Sequence, residues 1–398
     1  MKILYLSYDG LTDPLGQSQV IPYQLKLSRQ GIRIIVLSFE KPARLKDTAL
    51  LQQTAQLLKQ NGIIWQPLRY HKNPYFLATL YDMLMAYLQG LFLVVKYKIN
   101  IVHARGYVPA LVAQKLKQAW GLRFIFDMRG FWAEEKIDAG FWKKEDLAYK
   151  LIKHCEKKML FICDKVIVLT HKAKGVLRDC FGVDEAKIAV IPTCVDTSKF
   201  APLRAEKASF LKERIVVLYS GSVGAFYGFT EAVNFFRALY AKEKRAFFLV
   251  IINNQEPDAR ALIRESGIPQ DAYRIMSLSY HQMPQWISQA DLSLIFYHRR
   301  DHSAAGCCPT KLGESLACAV PVLINASVGD CDEIVSSSRV GFILRNFNAE
   351  KLNSAADEFL SALRSKDDLR GRCRELAEKY FSLESGSTLY YKVYESII

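Results

Sequence analysis

The sequence lacks the patterns that mark disulfide-bonded proteins and nucleic-acid-binding proteins. Its nine cysteines include no CxxC pair and show no regular disulfide framework. A secretory leader, with charged, apolar and small-residue segments in that order, is also missing, and together with the cysteine pattern this leads us to expect a reducing cytoplasm. Zinc-finger, RNA-recognition and basic-zipper patterns are absent as well. Direct binding of nucleic acid is therefore not expected.

Acidic residues are in short supply relative to basic ones. There are 40 Asp and Glu against 54 Lys and Arg, which gives a net charge of +14. Such an excess favours phosphates, nucleic acid or an anionic membrane surface as partners, and because the basic residues are scattered, charge alone does not choose among them. At 398 residues, half of them hydrophobic, the chain is too long for one ordinary core. We therefore expect two domains.

One apolar stretch, residues 75–97, is long enough to cross a bilayer. It contains Asp82, Gln89 and Gly90, so a helix packed between a sheet and solvent, or lying on a membrane, fits better than a span. Basic residues that would suit anionic headgroups flank the stretch on both sides: His71, Lys72, Lys96 and Lys98.

Short apolar runs recur along the chain with room for a helix between them. A first set begins with KILYLSY and ends with IAVIPT, and a second set runs from RIVVLYSGS to GFILR. Near-continuous apolar strands separated by helical patterns indicate parallel sheets covered on both faces. The sequence therefore predicts an α/β protein with two doubly wound halves, joined near residues 198–212.

Ligands of such sheets bind beyond the carboxyl ends of the strands, so polar residues there are candidates for a site. The first of these ends leads into YDGLTDPLGQSQ, residues 8–19, which we interpret as an unusually long polar loop. The candidates at these ends are Gly16, His103, Arg105, Asp127, Arg129, the residues Ser220 to Ser222, and the segment 306–314.

The segment GCCPTKLGESLACAVPVLINA, residues 306–326, is the most informative. Pro309 and Thr310 precede a helical pattern, and the amides at a helix start attract an anion. Lys311 in the first turn is unfavourable beside the positive end of the helix dipole. A bound diphosphate would make this position favourable.

Together these residues resemble glycosyltransferase family 4. The stretch ESLACAVPV is similar to the helix of that family that carries a glutamate and precedes A-x-G-x-P-V, and further likenesses lie in RIVVLYSGS, CVDTSKF and DPLGQSQ. The resemblance implies the GT-B fold, two Rossmann-like domains with a cleft between them. It places residues 1–197 with a C-terminal helix 385–398 in an acceptor-side domain, and 213–384 in a nucleotide-sugar-binding domain.

The resemblance also implies an activity and roles for residues. The chain would move a sugar from a nucleotide diphosphate sugar to a hydroxyl acceptor with retention of configuration, without a further cofactor and without a metal. Glu314 matches the family glutamate that holds the ribose. The other roles expected are donor binding by Gly16, Gly221, Ser222, Thr310 and Lys311, catalysis by Asp127 and Lys311, and contact with the sugar or acceptor by His103, Arg105 and Arg129.

The sequence departs from the family pattern at several positions. Gly306 stands where a first glutamate is usual, and Ser222 and Tyr227 stand where many members have a basic pair for the diphosphate. Asp127 occupies the place of a histidine that contacts the sugar. Charge for the diphosphate must then come from Lys311, with Arg299 or Arg300 behind it.

Structural interpretations of these residues stay open. Gly16 would simply permit a positive φ in a turn, and Asp127 with Arg129 would form a salt bridge at the domain edge. The acids in residues 330–333 belong in the first turn of a helix, where the dipole favours them, rather than at a metal. The final helix would contribute its apolar face to a core and have no catalytic role.

Alternative functions also stay open. Another GT-B reaction, such as sugar-nucleotide epimerisation, would release nucleotide without an acceptor, and a sugar-nucleotide-binding subunit would bind the donor without turnover. A structural partner on a membrane surface is a third alternative. For the enzyme, we expect a cytoplasmic location, peripheral on the inner face of the membrane if the acceptor is a lipid-linked or cell-surface glycan. The base and sugar of the donor are not predicted.

Overall fold

The computed structural model describes residues 1–202, 206–224, 226–253 and 255–398. Residues 203–205 of the predicted linker 198–212 lie outside the described residues. The described chain forms two compact units, the first made of Met1–Pro192 with Leu383–Ile398 and the second of Thr193–Ser382. The sequence places the corresponding boundaries at 197, 213 and 385. The second unit of the structure therefore begins 20 residues before the predicted start, and the other two boundaries differ by two to five residues.

The first unit is built on a parallel sheet whose described strands follow the order β3-β2-β1-β4-β5-β6-β7. The strands are β1 Lys2–Ser7, β2 Arg33–Glu40, β3 Ile64–Arg69, β4 Ile101–Arg105, β5 Arg123–Asp127, β6 Lys165–Val168 and β7 Ile188–Val190. The helices between them are α1 Ile21–Arg29, α2 Pro42–Leu45, α3 Thr48–Gln60, α4 Tyr75–Tyr97, α5 Tyr107–Trp120, α6 Trp132–Asp138, α7 Leu147–Ile162 and α8 His171–Phe181.

The second unit has a parallel sheet of six described strands in the order β10-β9-β8-β11-β12-β13. Its strands are β8 Ile215–Gly221, β9 Ala246–Ile252, β10 Tyr273–Met276, β11 Leu292–Ile295, β12 Val322–Asn325 and β13 Gly341–Leu344. Its helices are α9 Phe229–Lys242, α10 Glu256–Glu265, α11 Met283–Ile287, α12 Asp301–Ala305, α13 Thr310–Ala317, α14 Cys331–Ser338, α15 Ala349–Arg364 and α16 Leu369–Tyr380.

Both sheets are buried on their two faces. In β8, Val216 and Leu218 enter the core cluster with α13 and α16, whereas Val217 and Tyr219 enter the cluster with α9 and α15. This alternation is what a doubly wound sheet requires, since successive side chains of a strand point to opposite faces. The predicted fold class, two Rossmann-like α/β halves, is confirmed.

The last helix, α17 Leu383–Glu395, belongs to the first unit although it follows the second in the chain. It packs on α1, where the rings of Tyr23 and Tyr390 meet edge to face with centroids 5.1 Å apart. Tyr390 and Tyr394, one turn apart, are buried. This helix carries their hydroxyl groups to the carboxyl ends of the strands of the first sheet.

The predicted long loop at residues 8–19 is wrong. After β1 the chain makes a turn at residues 10–13 and is helical from Pro14, with a π-helical segment Gly16–Val20 leading into α1. The buried carboxylate of Glu40 at the end of β2 fixes the turn, because it accepts hydrogen bonds from the backbone N–H groups of Leu11 and Thr12 at 2.8 and 3.1 Å. Because this turn is held in place, the rest of the polar stretch, from Pro14 onward, is helical.

Gly16 is required by a close approach and not by a positive φ. It is absent from the described glycines whose φ is positive, and a Cβ at this position would lie 2.1 Å from the backbone oxygen of Gly10. The turn and the helical segment consequently touch backbone to backbone. The interpretation of Gly16 as a positive-φ turn residue is therefore wrong.

Candidate functional site

The predicted site residues fall into two groups, one in each unit. The group in the second unit surrounds the start of α13. Thr310 is the first residue of this helix, and Pro309 precedes it in an extended conformation. Among the described residues, no side chain caps this end. Backbone N–H groups at an uncapped helix start, together with the helix dipole, favour an anionic ligand.

Lys311 lies in the first turn of α13 with its ammonium group among aromatic rings. The Nζ atom is 4.6 Å from the ring centre of Tyr227, 5.6 Å from that of Tyr297 and 5.7 Å from that of Tyr219. No described residue accepts a hydrogen bond from it or pairs with it within 4 Å. Burial lowers the pKa of Lys311 to about 8, although Glu314 acts in the opposite direction. The ammonium is thus partly desolvated and lacks an anion.

Gly221 makes room for this ammonium group. It ends β8 with φ at 146°, and a Cβ there would lie 2.1 Å from Nζ of Lys311. The next residue, Ser222, accepts a hydrogen bond at its backbone oxygen from the Tyr219 hydroxyl, at 2.7 Å. The end of β8 and the start of α13 therefore come together, as the sequence predicts for residues at the carboxyl ends of neighbouring strands.

Glu314 follows Lys311 by one turn of the same helix and is 7% exposed. No described residue donates a hydrogen bond to its carboxylate. Burial raises the pKa of Glu314 to about 7, and Lys311 only partly offsets this. A buried carboxylate without a donor is costly unless a ligand supplies hydroxyl groups. The two ionisable groups of α13 are therefore both buried without a hydrogen-bond partner among the described residues. One ligand with an anionic group and hydroxyl groups would provide partners for both.

The sequence leads us to expect Arg299 behind Lys311. In the structure, the Arg299 side chain contacts Phe226 and Ser303. Its guanidinium carbon lies 5.1 Å from the ring centre of Phe226, and Nη1 is 3.4 Å from the Ser303 hydroxyl. The acids of residues 330–333 lie at the start of α14, where Asp332 and Glu333 occupy the first turn. Within the described residues, no group of His, Cys, Asp and Glu has the arrangement of a metal site.

The group in the first unit gathers at the carboxyl ends of β4 and β5, where Arg105 pairs in register with Asp127. Asp127 is fully buried, and its Oδ2 accepts a hydrogen bond from the Tyr390 hydroxyl at 2.9 Å. Nε2 of His103 is 3.5 Å from the same oxygen, and Nη1 of Arg129 is 3.9 Å from Oδ1. The structure therefore brings together four of the five predicted residues of this unit, whereas the fifth, Gly16, lies in the π-helical segment before α1.

The cluster fixes the charge state of its members. Burial alone would raise the pKa of Asp127, but Arg129 and His103 outweigh this and lower the pKa to about 2. Burial lowers the pKa of His103, so its imidazole is neutral near pH 7. Its Nδ1 lies within hydrogen-bond distance of the Tyr394 hydroxyl, at 2.7 Å. An ionised carboxylate and a neutral imidazole result.

Arg129 has a backbone conformation that few residues other than glycine adopt. Its φ is 62°, and Gly130 follows with φ at 151°. Such strain tends to be kept where a side chain must point in a required direction. Arg105 is also buried, and its Nε lies 3.9 Å from Oδ2 of Asp9. The guanidinium groups of Arg105 and Arg129 thus lie at the carboxyl ends of β4 and β5, together with the one buried carboxylate described there, that of Asp127.

Tyrosines are the residues that sequence reasoning missed. Tyr219 and Tyr297 surround Lys311, and Tyr390 and Tyr394 hold Asp127 and His103. The spacing of four between the last two was a usable signal, since it places both hydroxyls on one face of α17. The predicted core face of α17 also carries these hydroxyls, which bond to predicted site residues. That this helix has no catalytic role stays a prediction.

Two family models match the chain and divide it between them. The model of Glycosyltransferase Family 4 matches residues 25–199, and that of Glycosyl transferases group 1 matches residues 203–380. Both models describe glycosyltransferases, and the two Rossmann-like units have the GT-B architecture. The fold and the two models together indicate an enzyme of sugar transfer. The chain is a glycosyltransferase similar to family 4.

Solved structures share this fold over the whole chain. A glycosyltransferase from Rickettsia africae is 18% identical with a TM-score of 0.73, over 100% of this chain and 98% of its own. Sucrose-phosphate synthase from Thermosynechococcus elongatus is 16% identical with a TM-score of 0.74, over 100% and 99%. HepE of Anabaena in complex with UDP is 13% identical with a TM-score of 0.70, over 100% of both chains. No curated protein matches the sequence significantly.

Proposed function

We propose that this enzyme transfers a sugar from a nucleoside diphosphate sugar to a hydroxyl acceptor, with retention of the anomeric configuration. The observation that carries the proposal is the unsatisfied pair on α13, the Lys311 ammonium and the Glu314 carboxylate. A diphosphate would pair with the Lys311 ammonium and accept hydrogen bonds from the N–H groups of the helix start. The ribose hydroxyls would donate hydrogen bonds to the Glu314 carboxylate. The UDP held by HepE of Anabaena supports this ligand class.

The largest catalytic contribution in this scheme is neutralisation of the leaving diphosphate. As the bond between the anomeric carbon and the phosphate oxygen breaks, negative charge develops on the phosphate, where Lys311 and the uncapped start of α13 stabilise it. The acceptor oxygen bonds to the anomeric carbon on the same face, and its proton passes to the departing phosphate. No protein nucleophile takes part, and Gly221 keeps the approach to Lys311 open.

We further propose that the first unit contacts the sugar or the acceptor through Arg129 and Arg105. A guanidinium makes bidentate contacts with a carboxylate or phosphate, which suits an acidic or phosphate-linked acceptor glycan. Asp127 is fully buried, so it acts in this proposal by orienting Arg129 and His103. Its direct participation in catalysis stays a prediction.

Calorimetric titration with UDP, GDP, ADP and CMP, each with and without sugar, tests the donor class. We expect one diphosphate to bind, and Glu314→Ala to raise its Kd by about 10- to 100-fold, because hydrogen bonds to a charged group are lost. Glu333→Ala, an exposed acid of the same unit, is the matched control and should leave Kd unchanged. Equal Kd values for both variants would exclude Glu314 from the nucleotide site, and binding without any transfer would indicate a sugar-nucleotide-binding subunit.

The affinity for the nucleotide should depend on pH in a defined direction. Lys311 is charged below its pKa of about 8, so the Kd of the nucleoside diphosphate that binds should rise as the pH is raised from 8 to higher values. Glu314 is ionised above its pKa of about 7, so the Kd should also rise below that pH. We expect tightest binding between these values, and a flat alkaline limb for Lys311→Arg, which stays charged. An alkaline limb that is equally steep in Lys311→Arg would assign the titration to another group.

A further inference from the structure

An exposed apolar stripe runs along α4 in the first unit. Its members recur at helical spacing and are 45–64% exposed: Phe76, Leu77, Leu80, Tyr81, Leu84, Leu88, Phe92 and Val95. Among the described helices, this one alone is long and apolar enough to cross a membrane. Large exposed apolar surfaces that continue along an element mark interaction sites.

The opposite side of α4 ties it to the first unit. Ala86, Leu93 and Val94 enter the core, and Gly90 packs so closely on α5 that a Cβ would lie 2.9 Å from Leu116. Asp82 accepts hydrogen bonds from the Tyr8 hydroxyl and from the backbone N–H of His71, at 3.0 and 3.1 Å. Crossing a bilayer would break these contacts and bury Asp82 in lipid. The stripe is therefore suited to lie on a surface and not to span it.

Helix α7 presents a second exposed face of the same kind. Leu147, Leu151 and Phe161 are 84%, 54% and 83% exposed, at the spacing of one helix face. Both α4 and α7 pack against α5, so the three helices cover one face of the sheet with α5 in the middle. The two apolar stripes thus belong to one face of the unit. We name this combined surface the α4–α7 face.

The exposed ionisable residues that carry full charge within the three helices of the α4–α7 face are all basic. Exposed lysines of the three helices are Lys96, Lys115, Lys150, Lys157 and Lys158. The only acids in these helices are Asp82 and Glu156, and both are buried, Glu156 with hydrogen bonds from Tyr107 and Lys153. Just before α7, the exposed Glu145 follows two exposed lysines at 143 and 144. Apolar side chains rimmed by lysines complement acyl chains beneath anionic headgroups.

We propose that the α4–α7 face docks the first unit onto an anionic lipid bilayer, with α4 and α7 lying in the plane of the interface. The exposed leucines and phenylalanines enter the acyl boundary, and the lysines contact the headgroup phosphates. The proposal stands apart from the donor-site assignment, since it concerns binding of the enzyme to a lipid surface and uses none of the residues of α13.

Sedimentation with vesicles tests the docking. We expect the full chain to bind phosphatidylcholine vesicles that contain about a third phosphatidylglycerol, and to bind vesicles of pure phosphatidylcholine much more weakly. High salt should weaken binding to the anionic vesicles, because it screens the charge of the lysines. The variant Leu84→Gln with Leu88→Gln should weaken binding by about tenfold or more, and Lys157→Glu with Lys158→Glu should abolish the preference for anionic vesicles. Leu363→Gln, an exposed leucine of the second unit, is the matched control and should bind like the native chain.

Three results would overturn the proposal. The first is a native chain that stays in the supernatant with anionic vesicles. The second is a dimer in solution that the Leu84 and Leu88 substitutions dissociate, since the stripe would then be covered by a second copy. The third is resistance to extraction by alkaline carbonate, which would indicate a span. Unchanged thermal unfolding of the variants separates loss of docking from loss of fold.

Discussion

Replacing Lys311 with methionine is expected to slow sugar transfer by about 10²- to 10³-fold, the typical effect of removing one group that stabilises developing charge in a dry site. The ammonium group has no anionic partner of its own among the described residues, and its pKa is already lowered to about 8 by burial. Methionine keeps the length and the contacts with the tyrosine rings, so the fold should persist. The loss should therefore appear in turnover, measured as release of the nucleoside diphosphate from saturating donor.

Lys366→Met, an exposed lysine of the second unit, is the matched control and should leave turnover unchanged. Lys311→Arg should recover only part of the rate. Arginine keeps the positive charge, but its planar guanidinium does not fit the space beside Gly221 as the ammonium group does. A Lys311→Met enzyme that turns over at the native rate would mean that the diphosphate is neutralised elsewhere, and the proposed donor site would then be incorrect.

Most strands could be predicted from the sequence because each carries a continuous apolar run. Six of the seven described strands of the first sheet and all six of the second coincide with such runs. The exception, β3, is an edge strand that contains Pro67, and its residues are only partly buried. Edge strands carry a weaker signal because one side has no neighbour and one face is less covered.

The first turn was mispredicted because its determinant lies far along the chain. Glu40, about 30 residues after the turn, supplies the buried carboxylate that orders Leu11 and Thr12, and the helix can then begin at Pro14. A local pattern of glycine and polar residues contains no information about this acceptor. The same holds for Gly16, whose role depends on contact with the backbone of Gly10.

For the candidate site, the sequence indicated which residues carry charge but not what surrounds them. The start of α13 follows from Pro309 and the helical spacing. Lys311 is indicated by its unfavourable place in the first turn, and Glu314 by the family resemblance. The tyrosines around Lys311 come from two strand ends and a loop, and Tyr390 reaches Asp127 across 263 residues of sequence. Such contacts are set by packing of distant elements and leave no periodic signal.

Asp127 provides the largest expected effect on stability. Asp127→Ala should lower the free energy of unfolding of the first unit by about 3–5 kcal/mol, because the buried negative charge that faces the Arg129 guanidinium is removed. Tyr390→Phe removes only the hydrogen bond to Oδ2 and should cost about 1.5–3 kcal/mol. Denaturant unfolding followed by hydrogen exchange of β4 and β5 amides measures both within the first unit.

Asp127→Asn separates the charge from the hydrogen bond in this cluster. The folded-state pKa of Asp127 is lowered to about 2 from an ordinary value of 3.8, so ionisation stabilises the folded protein above pH 3.8, and this contribution is lost as the pH falls towards 2. The difference in unfolding free energy between the native chain and Asp127→Asn should therefore be constant above about pH 4 and shrink below it. A difference that does not change across this interval would show that the carboxylate acts through its hydrogen bond with Tyr390, and the interaction of its charge with Arg129 would then contribute little.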